Sequence, residues 1–390
     1  MCVKTITSEY VSYGHPDKIA DQISDAILDA YLKVDKNVRT GIEVMVKDNI
    51  VVLGGEVNSN ASINYDEVVR NVFKDLKFPS DHHLSPSEIK IINLIGKQST
   101  EIHNGVDKEN GVIGAGDQGF MVGFATNETI AYMPLGHYVA RKICTYIADL
   151  APTYGPDVKS QVTVEYDGVS PKITHILVST MHQSTLYSLR NFIEKSILNN
   201  SIRLETRIFE KYIRDNKDLV IDVNPCGEWH IGGPVSDCGV TGRKIVVDAY
   251  GGYCEVGGGA FSGKDHTKVD RSAAYMARYL AKNIVASGIC NIAKVTLAYM
   301  IGVPKPTSID IELDINNDKV DIIKTYISAN IDLTPNGIIK RFSEAYGNFP
   351  RNYNTARNGH YGHYVTDVNS ERLYPWEKID FANNLKLLLN

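Results

Sequence analysis

The segment Gly257-Gly-Gly-Ala-Phe-Ser-Gly-Lys-Asp-His-Thr-Lys-Val-Asp-Arg271 leads from a run of glycines into a predicted helix. Glycine lets backbone N–H groups approach an anion closely, and the start of a helix adds partial positive charge. Lys264 and Lys268 stand four residues apart, a spacing that places them on one helical face. We therefore expect a phosphate group to bind here, with Asp270 as a metal ligand.

The same segment comes close to the P-loop pattern but does not satisfy it. Gly258, Gly263 and Lys264 fit G-x-x-x-x-G-K. Asp265, however, stands where that loop needs Ser or Thr to bind magnesium, and residues 251–256 form a poor apolar run for the preceding strand. A P-loop kinase is therefore disfavoured, and an ordinary glycine-rich loop stays open as the alternative.

Composition limits the class of protein. The 390 residues suggest two or three domains, and no apolar run approaches the length of a membrane span. The net charge of −5 does not favour nonspecific binding to nucleic acid or anionic membranes. The N-terminus lacks a secretory signal and the six cysteines form no C-x-x-C pair, so we expect a cytoplasmic protein with free thiols and no zinc site.

Apolar periodicity predicts alternating helices and strands, and hairpins disfavour a wholly parallel sheet, so the class is α+β or α/β. A helix is expected from Pro16 to about Val34, followed by a hairpin of strands 40–46 and 50–53 that ends at Gly54-Gly55-Glu56. Further helices are expected at 65–77, 134–150, 184–199 and 265–286, and strands at 120–125, 161–166, 173–179, 219–223, 245–247, 293–302 and 307–312.

The block Gly14-His15-Pro16-Asp17-Lys18 opens the first helix. His15 would occupy the N-cap, and Asp17 could bind a hard cation. Taken alone, Asp17, Asp21 and Asp25 at spacing four are better explained as a solvated helical face.

Two more glycine-rich blocks carry polar residues. Gly114-Ala-Gly-Asp-Gln-Gly119 matches G-x-G-x-x-G, but a strand follows it where a dinucleotide fold needs a helix. Asp117 is thus a ligand contact or, equally, an Asx turn residue. In the segment 237–244, Arg243 and Lys244 could bind a polyphosphate or simply lie on the surface, and Cys238 is expected to be a small buried thiol.

The segment 98–111 is polar, aperiodic and long for a connection. Such a segment is typical of a mobile lid or of a disordered insert, and we favour the lid.

Together these blocks resemble the S-adenosylmethionine synthetase (methionine adenosyltransferase) family. The resemblance spans the chain, and its motifs occur in family order. They are Gly14–Ala26, Gly54-Gly55-Glu56, Gly96-Lys-Gln98-Ser99, Gly114–Gly119, Asp157-Val-Lys159-Ser-Gln161, Ile231-Gly-Gly-Pro234, Gly257–Arg271 and Pro375-Trp-Glu-Lys378.

The resemblance implies an α+β fold of three similar α/β domains around a pseudo-threefold axis. The segments 1–100, 101–224 and 225–390 would form the N-terminal, central and C-terminal domains, interleaved in sequence, with a gating loop at 98–108. Ile102 in that loop would pack toward adenine of a neighbouring site. The family builds its sites between subunits of a homodimer or homotetramer.

The resemblance further implies transfer of the adenosyl group of ATP to the sulfur of L-methionine, with release of triphosphate and its cleavage to pyrophosphate and phosphate. A neutral thioether needs no general base, so the main electrostatic task is to stabilise the leaving triphosphate. A noncatalytic nucleotide-binding regulator is the alternative.

Residue roles also follow from the resemblance. His15, Lys159, Lys264 and Arg243 are expected to be catalytic. Asp17 and Asp270 would hold two Mg2+ per subunit, and Glu43 one K+ per subunit. ATP contacts are expected from His15, Asp157, Lys159, Trp229, Asp237, Arg243, Lys244, Ala260 and Lys264, and methionine contacts from Glu56, Gln98, Asp117, Asp237 and Lys268.

The sequence departs from the family at three places. Tyr13 replaces the usual Glu, and the stretch Pro152–Pro156 is shorter than usual. Glu228-Trp229 stands where the bacterial pattern generally has Arg-Phe. Trp229 can still stack on adenine, whereas Glu228 reverses a charge beside the nucleotide.

Overall fold

A computed structural model describes residues 3–97, 113–168, 170–315, 319–343, 352–365 and 373–389. The helices are α1 Pro16–Leu32, α2 Tyr65–Asp75, α3 Leu135–Ala148, α4 Leu186–Leu198, α5 Thr206–Phe209, α6 Ile245–Asp248, α7 Val269–Ala286, α8 Val320–Asn330, α9 Pro335–Ser343, α10 Asn352–Asn358 and α11 Ala382–Leu389. The strands are β1 Lys4–Val11, β2 Arg39–Lys47, β3 Ile50–Asn58, β4 Lys90–Asn93, β5 Gly96–Lys97, β6 Gly119–Thr126, β7 Tyr154–Tyr166, β8 Pro171–His182, β9 Val220–Val223, β10 Gly239–Val240, β11 Ile292–Tyr299 and β12 Ser308–Leu313.

The strands form three sheets. The first has the order β1-β7-β8-β9, the second β10-β2-β3-β4 with β5 also paired to β3, and the third β12-β11-β6. Antiparallel pairs predominate, but β8/β9, β3/β4 and β3/β5 are parallel. Helices packed on mixed sheets confirm the expected α+β class.

Each sheet contains strands that are distant in sequence. For example, β6 pairs with β11 through Thr296 opposite Val122, and β10 pairs with β2 through Val240 opposite Met45. Strands from the expected central and C-terminal segments therefore share the third sheet. Domain limits at 100/101 and 224/225 stay a proposal.

Helix α7 lies in the core and carries charge there. Arg278 donates to both carboxylate oxygens of Glu377, at 3.2 and 3.1 Å, and Lys282 Nζ lies 2.6 Å from Glu377 Oε2. Burial would raise the pKa of Glu377, but the two cations hold it below its usual value. The Pro375–Lys378 motif thus anchors α7 through one buried carboxylate.

Two expectations about local structure are wrong. The helix predicted from 265 begins at Val269, because Asp265 Oδ1 accepts from the Thr267 N–H at 3.0 Å and closes a turn first. Consequently Lys264 lies outside the helix and shares no helical face with Lys268.

The strand predicted at 245–247 is a helical turn. The Asp248 N–H donates to the Lys244 carbonyl at 2.8 Å, and the Asp248 carboxylate lies 2.6 Å from Nζ of buried Lys18. Tertiary pairing overrides the strand preference of Ile245-Val-Val247 at this position. Within the described ranges, no helix has both the length and the apolar character needed to cross a bilayer.

Candidate active site

His15 caps the N-terminus of α1, as the sequence predicts. Its Nδ1 atom accepts a 3.1 Å hydrogen bond from the Asp17 N–H. Because Nδ1 is the acceptor, the proton of the neutral ring lies on Nε2. Burial, and then the charges of Lys244 and Lys159, lower the pKa of His15 to about 2. His15 is therefore a neutral donor through Nε2.

Asp17 lies in the first turn of α1 and is buried. Its Oδ1 atom accepts from the Val240 N–H at 2.9 Å, and its Oδ2 atom lies 2.5 Å from Lys244 Nζ. Arg243 approaches Oδ1 at 4.0 Å while its side chain is 59% exposed. The segment after β10 therefore places two cationic side chains beside the start of α1.

Asp157 lies near the start of β7, an inner strand of the first sheet, and contacts the segment that follows Trp229. Its Oδ2 atom accepts from the Gly233 N–H at 2.8 Å. Its buried Oδ1 atom has no hydrogen-bond partner within the described part of the chain. Burial, partly offset by that backbone bond and by Lys159, raises the pKa of Asp157 to about 6. Half-buried Trp229 donates from Nε1 to the Ile231 carbonyl at 2.6 Å.

Asp237 is exposed and accepts from the Cys238 N–H at 2.8 Å. Its negative charge pushes the pKa of both His15 and Asp157 upward, against the charges of Lys159 and Lys244. Cys238 is half-buried rather than buried. We call the following residues the first cluster: His15, Asp17, Asp157, Lys159, Asp237, Arg243 and Lys244.

The glycine-rich segment approaches the second sheet and α7 at short range. Gly263 has a φ of +80°, and a Cβ there would lie 2.0 Å from the Ile42 carbonyl oxygen. A Cβ on Gly259 would lie 2.1 Å from Asp270 Cγ. A side chain at either position would clash with these atoms, so both positions need glycine. The close packing that glycine permits brings Lys264 to Asp270, with which it forms an ion pair.

Asp265 organises the same region. Its Oδ2 atom accepts from the Thr40 N–H at 2.8 Å and lies 2.7 Å from Lys268 Nζ. Burial would raise the pKa of Asp265, but the charges of Lys268 and Arg39 lower it. Sequence reasoning noticed Asp265 only as a P-loop mismatch and missed that it positions Lys268.

The loop that carries Asp117 lies over this region. A Cβ on Gly116 would lie 3.7 Å from Lys268 Cδ, and one on Gly119 would lie 3.8 Å from Asp270 Oδ1. Asp117 itself is exposed and accepts from the Gln118 N–H at 2.8 Å. The position of Asp117 is therefore compatible both with a ligand contact and with an Asx turn residue.

Glu43 and Glu56 belong to the second sheet near Lys264. Gly41 forms a bridge with Lys264 and lies opposite half-buried Glu56. The Glu43 side chain faces solvent, yet desolvation by neighbouring atoms raises the pKa of its carboxyl above the usual value, and the Lys264 charge opposes this shift. We call the following residues the second cluster: Glu43, Glu56, Asp117, Lys264, Asp265, Lys268 and Asp270.

Two expected site residues remain. Ala260 packs against the segment that carries Arg243 and Lys244, because a Cβ on Gly242 would lie 2.5 Å from Ala260 Cβ. Gln98 and the expected gating loop 98–108 lie outside the described residues.

The acidic residues on α1 are not a solvated face, so that alternative is wrong. Asp21 pairs with Lys18 at 3.1 Å, and Asp25 makes a bidentate contact with Arg271 at 2.7 and 2.8 Å. All four of these side chains are buried. Sequence reasoning missed this network, which fixes α1 against α7.

Comparison with known proteins gives one consistent result. Family models described as the N-terminal, central and C-terminal domains of S-adenosylmethionine synthetase match residues 3–100, 112–229 and 231–378. An S-adenosylmethionine synthase from Borreliella afzelii is 43% identical over 99% of this chain and 97% of its own length. One from Mycoplasma mycoides subsp. mycoides is 42% identical over 98% of this chain and 97% of its own length. A solved structure of an unusual S-adenosylmethionine synthetase from Campylobacter jejuni is 37% identical, with a TM-score of 0.86 over 99% of this chain and 100% of that one.

Proposed function

The chain belongs to the S-adenosylmethionine synthetase family, and on that premise we propose that it forms S-adenosylmethionine by displacing the whole triphosphate of ATP from C5′. It is a methionine adenosyltransferase by family. The observation that supports the proposed route is the pairing of cations with carboxylates in both clusters, together with a neutral histidine in the first cluster.

The reaction requires little proton transfer. A lone pair of the methionine sulfur forms the S–C5′ bond while the C5′–O5′ bond breaks, and the electron pair of the broken bond stays on the triphosphate. Because the thioether is neutral, the chain needs no base to activate it. Its task is to stabilise negative charge that gathers on the leaving group.

His15 suits this task because it keeps its Nε2 proton. We assign it a hydrogen bond to the leaving O5′ atom. Lys159, Arg243, Lys244 and Lys264 are proposed to bind the phosphate oxygens, since a partly desolvated cation interacts more strongly than one in bulk water. The triphosphate would then be hydrolysed at the same site to pyrophosphate and phosphate.

Metal ions are proposed at the carboxylates. Asp17 and Asp270 offer hard oxygen ligands, and each is held by a lysine that a phosphate group can take over. We propose Mg2+ at these two residues and K+ near Glu43. Bound there, the metal ions would neutralise phosphate charge.

The substrate contacts are proposed by position. Trp229 precedes the segment whose Gly233 N–H donates to Asp157, and it would stack on adenine. Ala260 would also contact the nucleotide. Glu56, Asp117 and Lys268 belong to the second cluster and would bind methionine. Asp237 would contact both substrates, and Gln98 is proposed as a methionine contact from the family pattern.

A second copy of the chain is proposed to complete the site. On β2 and β4, two exposed apolar side chains lie on the same face as Glu43: Met45 is 42% exposed and Ile92 47%; Leu94, just after β4, is 66% exposed. Val52 joins Met45 to Ile92 in register, which makes the face continuous. Such an apolar face favours association into a homodimer or homotetramer.

The cytoplasmic location of the protein stays a prediction.

Product analysis tests the reaction. Protein incubated with ATP, methionine and Mg2+ should form S-adenosylmethionine, pyrophosphate and phosphate in equal amounts. Folded protein that binds ATP but gives no product would support the noncatalytic alternative. ADP as the product would instead indicate phosphoryl transfer.

Mixing two variants tests the shared site. We propose that one subunit supplies the first cluster and its partner the second. Lys244→Ala and Lys264→Ala, each inactive alone, should then regain up to about a quarter of wild-type activity after co-refolding, because half the dimers contain one intact site. Full inactivity of the mixed dimers would show that both lysines act within one chain.

A further inference from the structure

A trio of side chains outside the two clusters converges on one point beside Trp229. His182 is the last residue of β8. Glu228 and His230 flank Trp229 in a segment that is hydrogen-bonded to this end of β8. Their ligand atoms all lie within 4.8 Å of one another. None of the three belongs to the proposed chemistry of the family site.

Both imidazole rings have a fixed tautomer. Nδ1 of His182 lies 2.7 Å from the Ser184 carbonyl oxygen, and Nδ1 of His230 lies 2.8 Å from the His182 carbonyl oxygen. A carbonyl only accepts hydrogen bonds, so each Nδ1 carries the proton. In a neutral ring, Nε2 then presents a lone pair.

The two Nε2 atoms face the same carboxylate oxygen. Glu228 Oε2 lies 3.2 Å from His182 Nε2 and 3.6 Å from His230 Nε2. The other oxygen, Oε1, accepts from the Leu186 N–H at 3.0 Å, so the carboxylate is held in place. Two lone pairs directed at an anionic oxygen repel it unless a ring proton or a metal cation lies between them.

The spacing suits a small divalent cation. Bonds of about 2.0 Å in a tetrahedral site place ligand atoms about 3.3 Å apart, close to the two separations from Glu228 Oε2, and the two Nε2 atoms lie within 4.8 Å of each other. A hydrogen bond from each ring to a carbonyl is also the usual support of a metal-binding histidine. The Trp229 N–H points at His182 Nε2 from 3.5 Å, a distance at which a hydrogen bond is weak.

We propose that His182, Glu228 and His230 form a site for a divalent transition-metal cation of the zinc class, with the fourth position open to water. Two imidazoles and a carboxylate suit Zn2+ better than Mg2+, which prefers oxygen ligands. The absence of a C-x-x-C pair predicts no zinc site, but this trio combines residues from separate segments. The site explains Glu228, the acidic residue that departs from the family pattern.

Metal titration of the full chain tests the site. After chelator treatment, the protein is titrated with Zn2+ by calorimetry in excess Mg2+, which occupies oxygen-ligand sites. One Zn2+ per chain is expected. Cu2+ should quench the fluorescence of Trp229, and Trp229→Phe should abolish that quenching.

Matched variants decide the outcome. Glu228→Gln and His230→Gln change side chains that are about half exposed, so both should fold, and each should weaken Zn2+ binding at least tenfold. His175→Gln removes a ring from an exposed pair with Asp222 and should leave binding unchanged. Equal binding by wild type, Glu228→Gln and His230→Gln, or no saturable binding by wild type, would overturn the proposal and make the trio a histidinium–glutamate ion pair.

Discussion

The Oδ2 atom of Asp17 lies 2.5 Å from Nζ of Lys244, and Asp270 forms the same kind of pair with Lys264. In both pairs the carboxylate is a proposed metal ligand and the lysine a proposed phosphate ligand. The free site therefore neutralises its own charges. We expect a triphosphate–metal complex to replace both ion pairs, with the lysines moving to phosphate and the carboxylates to metal.

Lys244→Ala should lower kcat by about 100-fold or more, because it removes a donor that stabilises the leaving group. The urea midpoint should also fall, because the buried Asp17 carboxylate loses its charge partner, so kcat is compared at a temperature where both proteins are fully folded. Steady-state kinetics of S-adenosylmethionine formation measure the change. Lys172→Ala, which breaks an exposed pair with Asp218, is the control and should keep wild-type rates. An unchanged kcat for Lys244→Ala would remove this lysine from the mechanism.

Asp270→Asn should raise the Mg2+ concentration needed for half-maximal rate by about tenfold or more, since a neutral amide binds a hard cation less well. The same titration on Asp66→Asn, whose side chain is 57% exposed, should reproduce the wild-type curve. Identical Mg2+ dependence in the Asp270 variant would contradict the assignment of this carboxylate to metal.

Stability should fall as the pH drops below about 6.5, because buried neutral histidines take up protons only on unfolding. For His137, burial and nearby arginines lower the pKa to about 4, although its hydrogen bond to the Val247 carbonyl opposes the shift. Its folded pKa lies below the unfolded value, so stability is full above about pH 6.5 and is lost toward pH 4.

Urea unfolding at a series of pH values measures this effect. His137→Gln can still donate to Val247 and should lose about 1 kcal/mol less stability than wild type between about pH 7.5 and 5.5. Exposed His175→Gln serves as the comparison and should follow the wild-type curve. Parallel curves for wild type and His137→Gln would show that His137 titrates normally in the fold.

Asp25→Asn should destabilise the chain by about 3–5 kcal/mol, since it leaves the fully buried guanidinium of Arg271 without its charge partner. The exposed pair of Asp66 and Arg70 supplies the control, and Asp66→Asn should cost less than about 1 kcal/mol. Denaturant midpoints of the two variants compare the costs directly. Similar small losses would mean that the buried pair contributes no more than a surface one.

Local features were predictable from sequence. The proline after His15 and the apolar spacing of α1 fix its start, and the Lys47-Asp48-Asn49 turn fixes the β2–β3 hairpin. Both depend on residues close together in the chain. The order of family motifs likewise identified the reaction before any distance was known.

Long-range pairing was not predictable. Asp25 pairs with Arg271, and Lys18 pairs with Asp248 as well as with nearby Asp21. Arg271 and Asp248 each lie more than 200 residues from these partners. Without those partners an acidic face on α1 is indistinguishable from a solvated one. The start of α7 depends on a local turn, from Asp265 to the Thr267 N–H, which a bond from Thr40 on distant β2 holds in place.

A single-turnover experiment tests most directly whether the triphosphate leaves whole. Enzyme in excess over radiolabelled ATP is mixed with methionine and Mg2+ and quenched in acid at successive times. S-adenosylmethionine and intact triphosphate should appear together, before pyrophosphate and phosphate accumulate. Formation of ADP, or of pyrophosphate ahead of S-adenosylmethionine, would contradict displacement at C5′ as the first chemical step.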